Sequence, residues 1–262
     1  YQLYLNVRKY PYDFNNPFAN AAGATSSNQN EEGIMAGIKI SPLENLEINS
    51  YADIYKIPYR TYYNPLPSKG MEVMLKAQYA LDNHIFTFRY RRKTGDECIT
   101  IDDPLQGDKK IVTSKSKNEY RMEYNSLFFE NLYLKTRIEI SSLQYQLYRN
   151  SETGFIIFQD CLWEAFKSLS INSRIIFFNT DSYETALYEY ERDVSGIYSV
   201  NALSDKGYRF YFVFNYKLED FLSLMFKFSN TTYSNKQSIG SSYDELKGKS
   251  LSKISFELDF KL

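Results

Sequence analysis

Apolar and polar residues alternate one for one along much of this chain. In NLYLKTRIEISS (131–142), Leu132, Leu134, Thr136, Ile138 and Ile140 share one side of an extended backbone, and Tyr133, Lys135, Arg137 and Glu139 share the other. Successive side chains of a strand point to opposite faces, so a period of two predicts β-structure. In GYRFYFVFNYKL, Tyr208, Phe210, Phe212, Phe214 and Tyr216 likewise oppose Arg209, Tyr211, Val213, Asn215 and Lys217. The pattern predicts strands over 1–10, 33–41, 45–56, 70–81, 85–94, 115–127, 131–147, 154–164, 168–178, 207–218, 221–230 and 250–262, about twelve in all.

The connections come in two sizes. PLEN (42–45), DNH (82–84), FEN (129–131), FKS (166–168) and EDF (219–221) are as short as hairpin turns. Between them run PYDFNNPFANAAGATSSNQNEE, PYRTYYNPLPSKG, TGDECITIDDPLQGDKK, TDSYETALYEYERDVSGIYSVNALSDKG and NTTYSNKQSIGSSYDELKGKS, with RNSETG as a shorter exception. In an up-and-down antiparallel sheet alternate connections fall at opposite ends, so one rim is tidy and the other elaborate. Bilayer-spanning barrels have that asymmetry. Several segments also keep their pattern for the roughly 9–11 residues a tilted strand needs to cross a bilayer. The stretch 179–206 reads as one excursion, since it offers no short turn for a further strand pair.

Alternation does not say which face is wet. A soluble sandwich turns its apolar face inward, and a barrel in lipid turns it outward. Phe at the centre of 208–216 with Tyr at both ends favours lipid, because Tyr settles where one end is wet. The expected fold is an all-β, up-and-down antiparallel transmembrane barrel. Leu134, Ile138, Ile140, Phe210, Phe212, Phe214, Phe226, Phe256 and Phe260 are then lipid-facing. Glu72, Lys76, Arg89, Arg91, Arg121, Glu123, Lys135, Arg137, Glu139, Arg174, Arg209, Lys217 and Lys227 line the lumen. Charge also selects a register. If FEN joins 118–126 to 131–142, Glu123 opposes Arg137 and Arg121 opposes Glu139, whereas a slip of two residues would set like charges against each other. The terminal SKISFELDFKL would be an aggregation-prone edge in a soluble protein, and barrel closure removes it.

Composition supports sheet over helix: 25 Tyr and 19 Phe stand against 11 Gly and 7 Pro. The 262 residues read as a single barrel domain, 1–262, with the C-terminal part of a longer protein as an open alternative. Lys and Arg (31) nearly equal Asp and Glu (32), so there is no electrostatic case for nucleic acid. No run approaches the ~20 apolar residues of a spanning helix. Tyr1 already sits in a strand without signal-peptide features, so the chain reads as mature or trimmed. Cys98 and Cys161 read as free thiols.

Catalytic chemistry is scarce. His84, the one histidine, falls in a short turn and reads as an exposed turn residue, a poor base for a barrel hydrolase. Asp102, Asp103 and Asp108 lack the spacing of a dedicated calcium loop. Asp181, Glu184, Glu189, Glu191, Arg192 and Asp193 make a charged loop that packs over its own barrel mouth or meets a partner through its tyrosines. No catalytic residue, metal site or cofactor is expected.

The spans DFNNPFANAAGATSSNQNEEGIMAGIKISPLENLEINSYADIYKIPYRTYYNPLPSKG, FFNTDSYETALYEYERDVSGIYSVNALSDKGYRFYFVFNYKL and IGSSYDELKGKSLSKISFELDFKL resemble the C-terminal barrel region of a Bacteroidota-type outer-membrane family. Its members often carry helix-hairpin-helix domains before the barrel. The final Leu262 departs from the commoner aromatic ending. The resemblance implies Gram-negative outer-membrane residence; the expected barrel has both termini in the periplasm, and membrane lipid and other outer-membrane or periplasmic subunits as its expected partners. It carries no nucleic-acid binding, because no helix-hairpin-helix is visible. The functional expectation is a channel or transport-related barrel with a charge-paired lumen. A non-conducting anchor or docking scaffold is the second reading, and a soluble β-sandwich or ligand-binding barrel the third.

Overall fold

A computed structural model describes residues 1–14, 23–24, 29–103, 107–147, 151–219, 221–240 and 242–260. The chain is almost entirely β. Among the described residues the strands are β1 (Gln2–Tyr10), β2 (Glu31–Leu43), β3 (Leu46–Ile57), β4 (Ser68–Leu81), β5 (His84–Asp103), β6 (Gly107–Phe129), β7 (Leu132–Tyr145), β8 (Glu152–Phe166), β9 (Leu169–Thr180), β10 (Leu187–Glu191), β11 (Ser199–Leu203), β12 (Lys206–Glu219), β13 (Leu222–Tyr233), β14 (Ser238–Ile239), β15 (Leu246–Lys247) and β16 (Ser250–Phe260). Twelve form one up-and-down antiparallel sheet in the order β1-β2-β3-β4-β5-β6-β7-β8-β9-β12-β13-β16. Two-stranded pairs β10-β11 and β14-β15 stand apart from it. Each of the twelve strands expected from alternation has its counterpart in the sheet.

Three stretches expected as loops contain strands. Most of 95–111 is absorbed into β5 and β6, which continue their alternation past the expected boundaries. Ile99 is thereby buried against Leu143 and Tyr145, and that burial stabilises the extension. The stretch 179–206 holds the β10-β11 pair, and 234–249 holds β14 and β15. Lys261 and Leu262, at the end of the expected last strand, lie outside the described residues.

Contacts divide the chain into two compact units. The first comprises Tyr1–Tyr79, Phe88–Tyr120 and Ser142–Ser151. Within it Ile34 faces Ile54, and Ile54 faces Met71, across β2, β3 and β4. All three side chains are exposed, Ile54 at 61%, whereas Asp53 beside it on β3 is 8% exposed. The second unit comprises Ala80–Thr87, Arg121–Ser141 and Glu152–Leu262. Here Ile138 of β7 is 38% exposed while the next residue, Glu139, is 2% exposed. In both units one sheet face buries charge and the other exposes hydrocarbon.

Candidate functional site

The second unit gathers the charged faces of six strands. β6 contributes Arg121 and Glu123, β7 contributes Lys135, Arg137 and Glu139, and β8, β9, β12 and β13 contribute Asp160, Arg174, Arg209 and Lys227. Alternation puts these groups on one side, and their pairing follows from what faces them across the sheet. Glu123 lies 2.6 Å from Arg137 and 3.3 Å from Lys135, and Arg121 donates to Glu139 at 2.5 Å. Glu123 with Arg137 and Arg121 with Glu139 are the partners that the FEN-turn register sets opposite each other. Arg174 donates to Asp160 at 2.6 Å. Its guanidinium carbon lies 4.3 Å from the Phe158 ring centre, and that of Arg137 lies 5.0 Å from the same ring.

A hairpin covers this face. β10 and β11 pair from Leu187↔Leu203 to Glu191↔Ser199, joined by the turn 192–198. LYEYE alternates as a strand does: Leu187, Glu189 and Glu191 point to the sheet, and Tyr188 and Tyr190 are exposed. Leu187 and Leu203 pack on Ile156, Phe158, Ile176 and Phe178. Glu189 accepts from Arg137. Glu191 accepts from Arg209 Nε and Nη2 at 2.5 and 2.8 Å, and Lys227 reaches Glu191 at 3.4 Å and Asp193 at 2.9 Å. Arg174 donates to the Tyr190 carbonyl at 2.7 Å. The expectation that 179–206 holds no further strand pair is therefore corrected. Tertiary burial of Leu187 and Leu203 and the ion pairs hold the two strands, so no compact turn is required.

The entry to the hairpin is pinned as well. Ser141 Oγ donates to the Thr185 carbonyl at 3.0 Å, and that carbonyl lies against Gly154, where a Cβ would collide with it. Glycine here admits the loop backbone to the sheet. Gly154→Val is expected to cost about 1–3 kcal/mol, the usual range for overpacking. Urea midpoints of the refolded variant and parent measure this, and an unchanged midpoint would show that the loop does not bear on this strand.

No protein-family model and no curated sequence matches the chain. Solved structures that resemble the chain include two with low TM-scores. The NanC porin matches at 9% identity and a TM-score of 0.37, covering 89% of this chain and 94% of that one. The ferric yersiniabactin uptake receptor FyuA from Yersinia pestis matches at 12% identity and a TM-score of 0.47, covering 98% of this chain and 45% of that one. The chain thus spans less than half the length of FyuA. Neither likeness assigns it a family.

The electrostatics of the hairpin carboxylates differ. Burial raises the pKa of Glu189 from its ordinary value, and the nearby Arg137 and Arg121 offset only part of that rise. Burial also acts upward on Asp193, but hydrogen bonds from Ser199 and Lys227 outweigh it and leave the group below its ordinary value.

Other residues singled out in the sequence lie elsewhere. In the first unit Arg91 donates to Glu72 at 3.0 and 3.1 Å and approaches Glu119 at 3.5 Å, while the Tyr51 hydroxyl donates to Glu72 at 2.5 Å. Lys76 and Arg89 are half-buried, and Lys217 is exposed near the end of β12. Among the outward candidates Ile138, Ile140, Phe212, Phe256 and Phe260 are exposed, and Leu134, Phe210, Phe214 and Phe226 are half-buried. Arg8, Glu31 and Asp53 were not singled out. They form a buried cluster in the first unit, with Arg8 bonded to Glu31 at 2.5 Å and to Asp53 at 2.8 Å.

His84 requires a correction: it opens β5, is half-buried, and shares Nδ1 between the Tyr124 hydroxyl at 2.8 Å and Ser126 Oγ at 3.1 Å. Ser126 is 1% exposed, so this Ser–His contact offers no nucleophile to a substrate. Asp102 and Asp108 lie on β5 and β6, and among the described residues no group of three His, Cys, Asp or Glu could hold a metal ion.

Proposed function

We propose that this chain is an outer-membrane β-barrel of a Gram-negative bacterium, related to transport, whose polar interior is narrowed by the inward-folded hairpin 187–203. The observation that carries the reading is the inverted amphipathicity of the sheet, with Glu139 and Asp53 buried beside exposed Ile138 and Ile54. Such a sheet in water would expose a broad apolar surface while desolvating its charges. In a bilayer the exposed side chains meet hydrocarbon, and the paired charges fill the hollow.

Barrel closure and residence of the whole chain in a single domain belong to this proposal, as does the Bacteroidota affinity implied by the quoted spans. Gln2 of β1 lies toward the β2–β3 turn and Phe260 of β16 toward the β12–β13 turn, the strand ends that the reading places in the periplasm. Membrane lipid is the primary partner. A non-conducting scaffold is the second reading, favoured by the ion pairs that hold the hairpin over the charged face. Discrete current steps in planar bilayers support transport, and silence supports the scaffold.

Trp163 tests the bilayer reading directly. It is the sole tryptophan, exposed on β8 close to the β8–β9 turn, where the proposed barrel meets the membrane interface. In vesicles its fluorescence is expected to be quenched more by a lipid-borne quencher near the headgroup than by one at the chain end. Quenching only by an aqueous quencher would refute membrane insertion.

A further inference from the structure

The ion pairs of the second unit fall into two sets that share Arg137. Lys135–Glu123, Arg121–Glu139 and Arg174–Asp160 close within the sheet. Arg209 and Lys227 reach out to Glu191 and Asp193 of the hairpin, and Arg137 bridges Glu123 of the sheet and Glu189 of the hairpin. Among these described residues the sheet carries six cations against three carboxylates, and the hairpin contributes the three that balance them. Cations held in a recess without counter-ions are costly. The sheet is therefore built around anions that its own strands do not supply.

We infer that the surface formed by Arg137, Arg209 and Lys227 is a binding path for small solutes bearing two or three carboxylates, and that Glu189, Glu191 and Asp193 occupy it in their absence. The inference rests on the proposed barrel reading and names its solute class. Arg209 offers Nε and Nη2 to the two oxygens of one carboxylate, the fork geometry that selects a planar anion. Lys227 bridges two neighbouring carboxylates. Alternate residues of an extended segment place these groups about 7 Å apart, the reach of a compact di- or tricarboxylate. A cleft of about 330 Å³ beside the hairpin reaches Asp193, the carboxylate that Lys227 holds, and is lined also by Asn172, Arg192 and Asn215. Arg192 is exposed there and adds a further cation.

The test is the reversal potential under a potassium chloride gradient, with the Glu189→Gln, Glu191→Gln, Asp193→Asn triple variant in planar bilayers. Release of Arg209 and Lys227, with Arg137 left only its Glu123 partner, is expected to raise the anion-to-cation permeability ratio at least about threefold over the parent. A ratio unchanged or shifted toward cations would overturn the inference. Calorimetry on the parent protein in detergent needs no variant: citrate is expected to bind, and a neutral disaccharide is not. Absence of citrate binding, or equal binding by the sugar, would also overturn it. Failure of the barrel reading shows separately, as loss of lipid quenching at Trp163, and leaves citrate calorimetry as the readout of the cationic surface.

Discussion

Glu191→Ala is expected to destabilise the folded protein by about 3–5 kcal/mol, the cost of stripping one partner from a buried ion pair. Glu191 is fully buried and accepts from both Arg209 and Lys227. Its removal leaves two cations facing the gap where the carboxylate stood. Glu191→Gln keeps an acceptor oxygen and is expected to recover part of the loss. Removing Arg209 along with Glu191 should cost less than the two single losses combined, because neither charge is then stranded. Urea unfolding of the refolded variants measures all three, and additive single effects would show that Glu191 and Arg209 are energetically independent.

Ile138→Arg is the second large effect, and it separates lipid from water at a single position. Ile138 is exposed near the middle of β7, so in water the change would fall within about 0.5 kcal/mol. Facing the hydrocarbon midplane, the same change is expected to cost about 2–4 kcal/mol. The discriminating measurement is unfolding from lipid vesicles, with the variant and parent compared at equal lipid. A cost near zero would contradict the outward-facing hydrocarbon reading.

The regular strands were legible because their side chains obey a local rule. Arg137 and Ile138 occupy opposite faces by adjacency alone, and charge opposition across the FEN turn brought Arg121 to Glu139 and Glu123 to Arg137. What escaped was set by contacts distant in sequence. LYEYE carries the same period of two as β7, but its burial depends on Ile156, Phe158, Ile176 and Phe178, which belong to other strands. Its alternation was the available signal, masked by the lack of a short turn. The reach of β5 and β6 past their expected ends likewise depends on Ile99 meeting Leu143 and Tyr145. His84 falls in a short turn by sequence, yet Tyr124 and Ser126 of another strand hold its ring. Arg8 escaped because its partners Glu31 and Asp53 lie on other strands, although its place in NVRKY put it on the polar side of β1.

The sheet order also bears on biogenesis. Among the described residues β1 is hydrogen-bonded along one side by β2, and β16 along one side by β13. In hydrocarbon every amide and carbonyl left unmatched costs several kcal/mol, far more than at an aqueous margin. If the chain enters lipid, those two margins must be sutured before or during insertion, which makes them the points a membrane-insertion catalyst would have to shield.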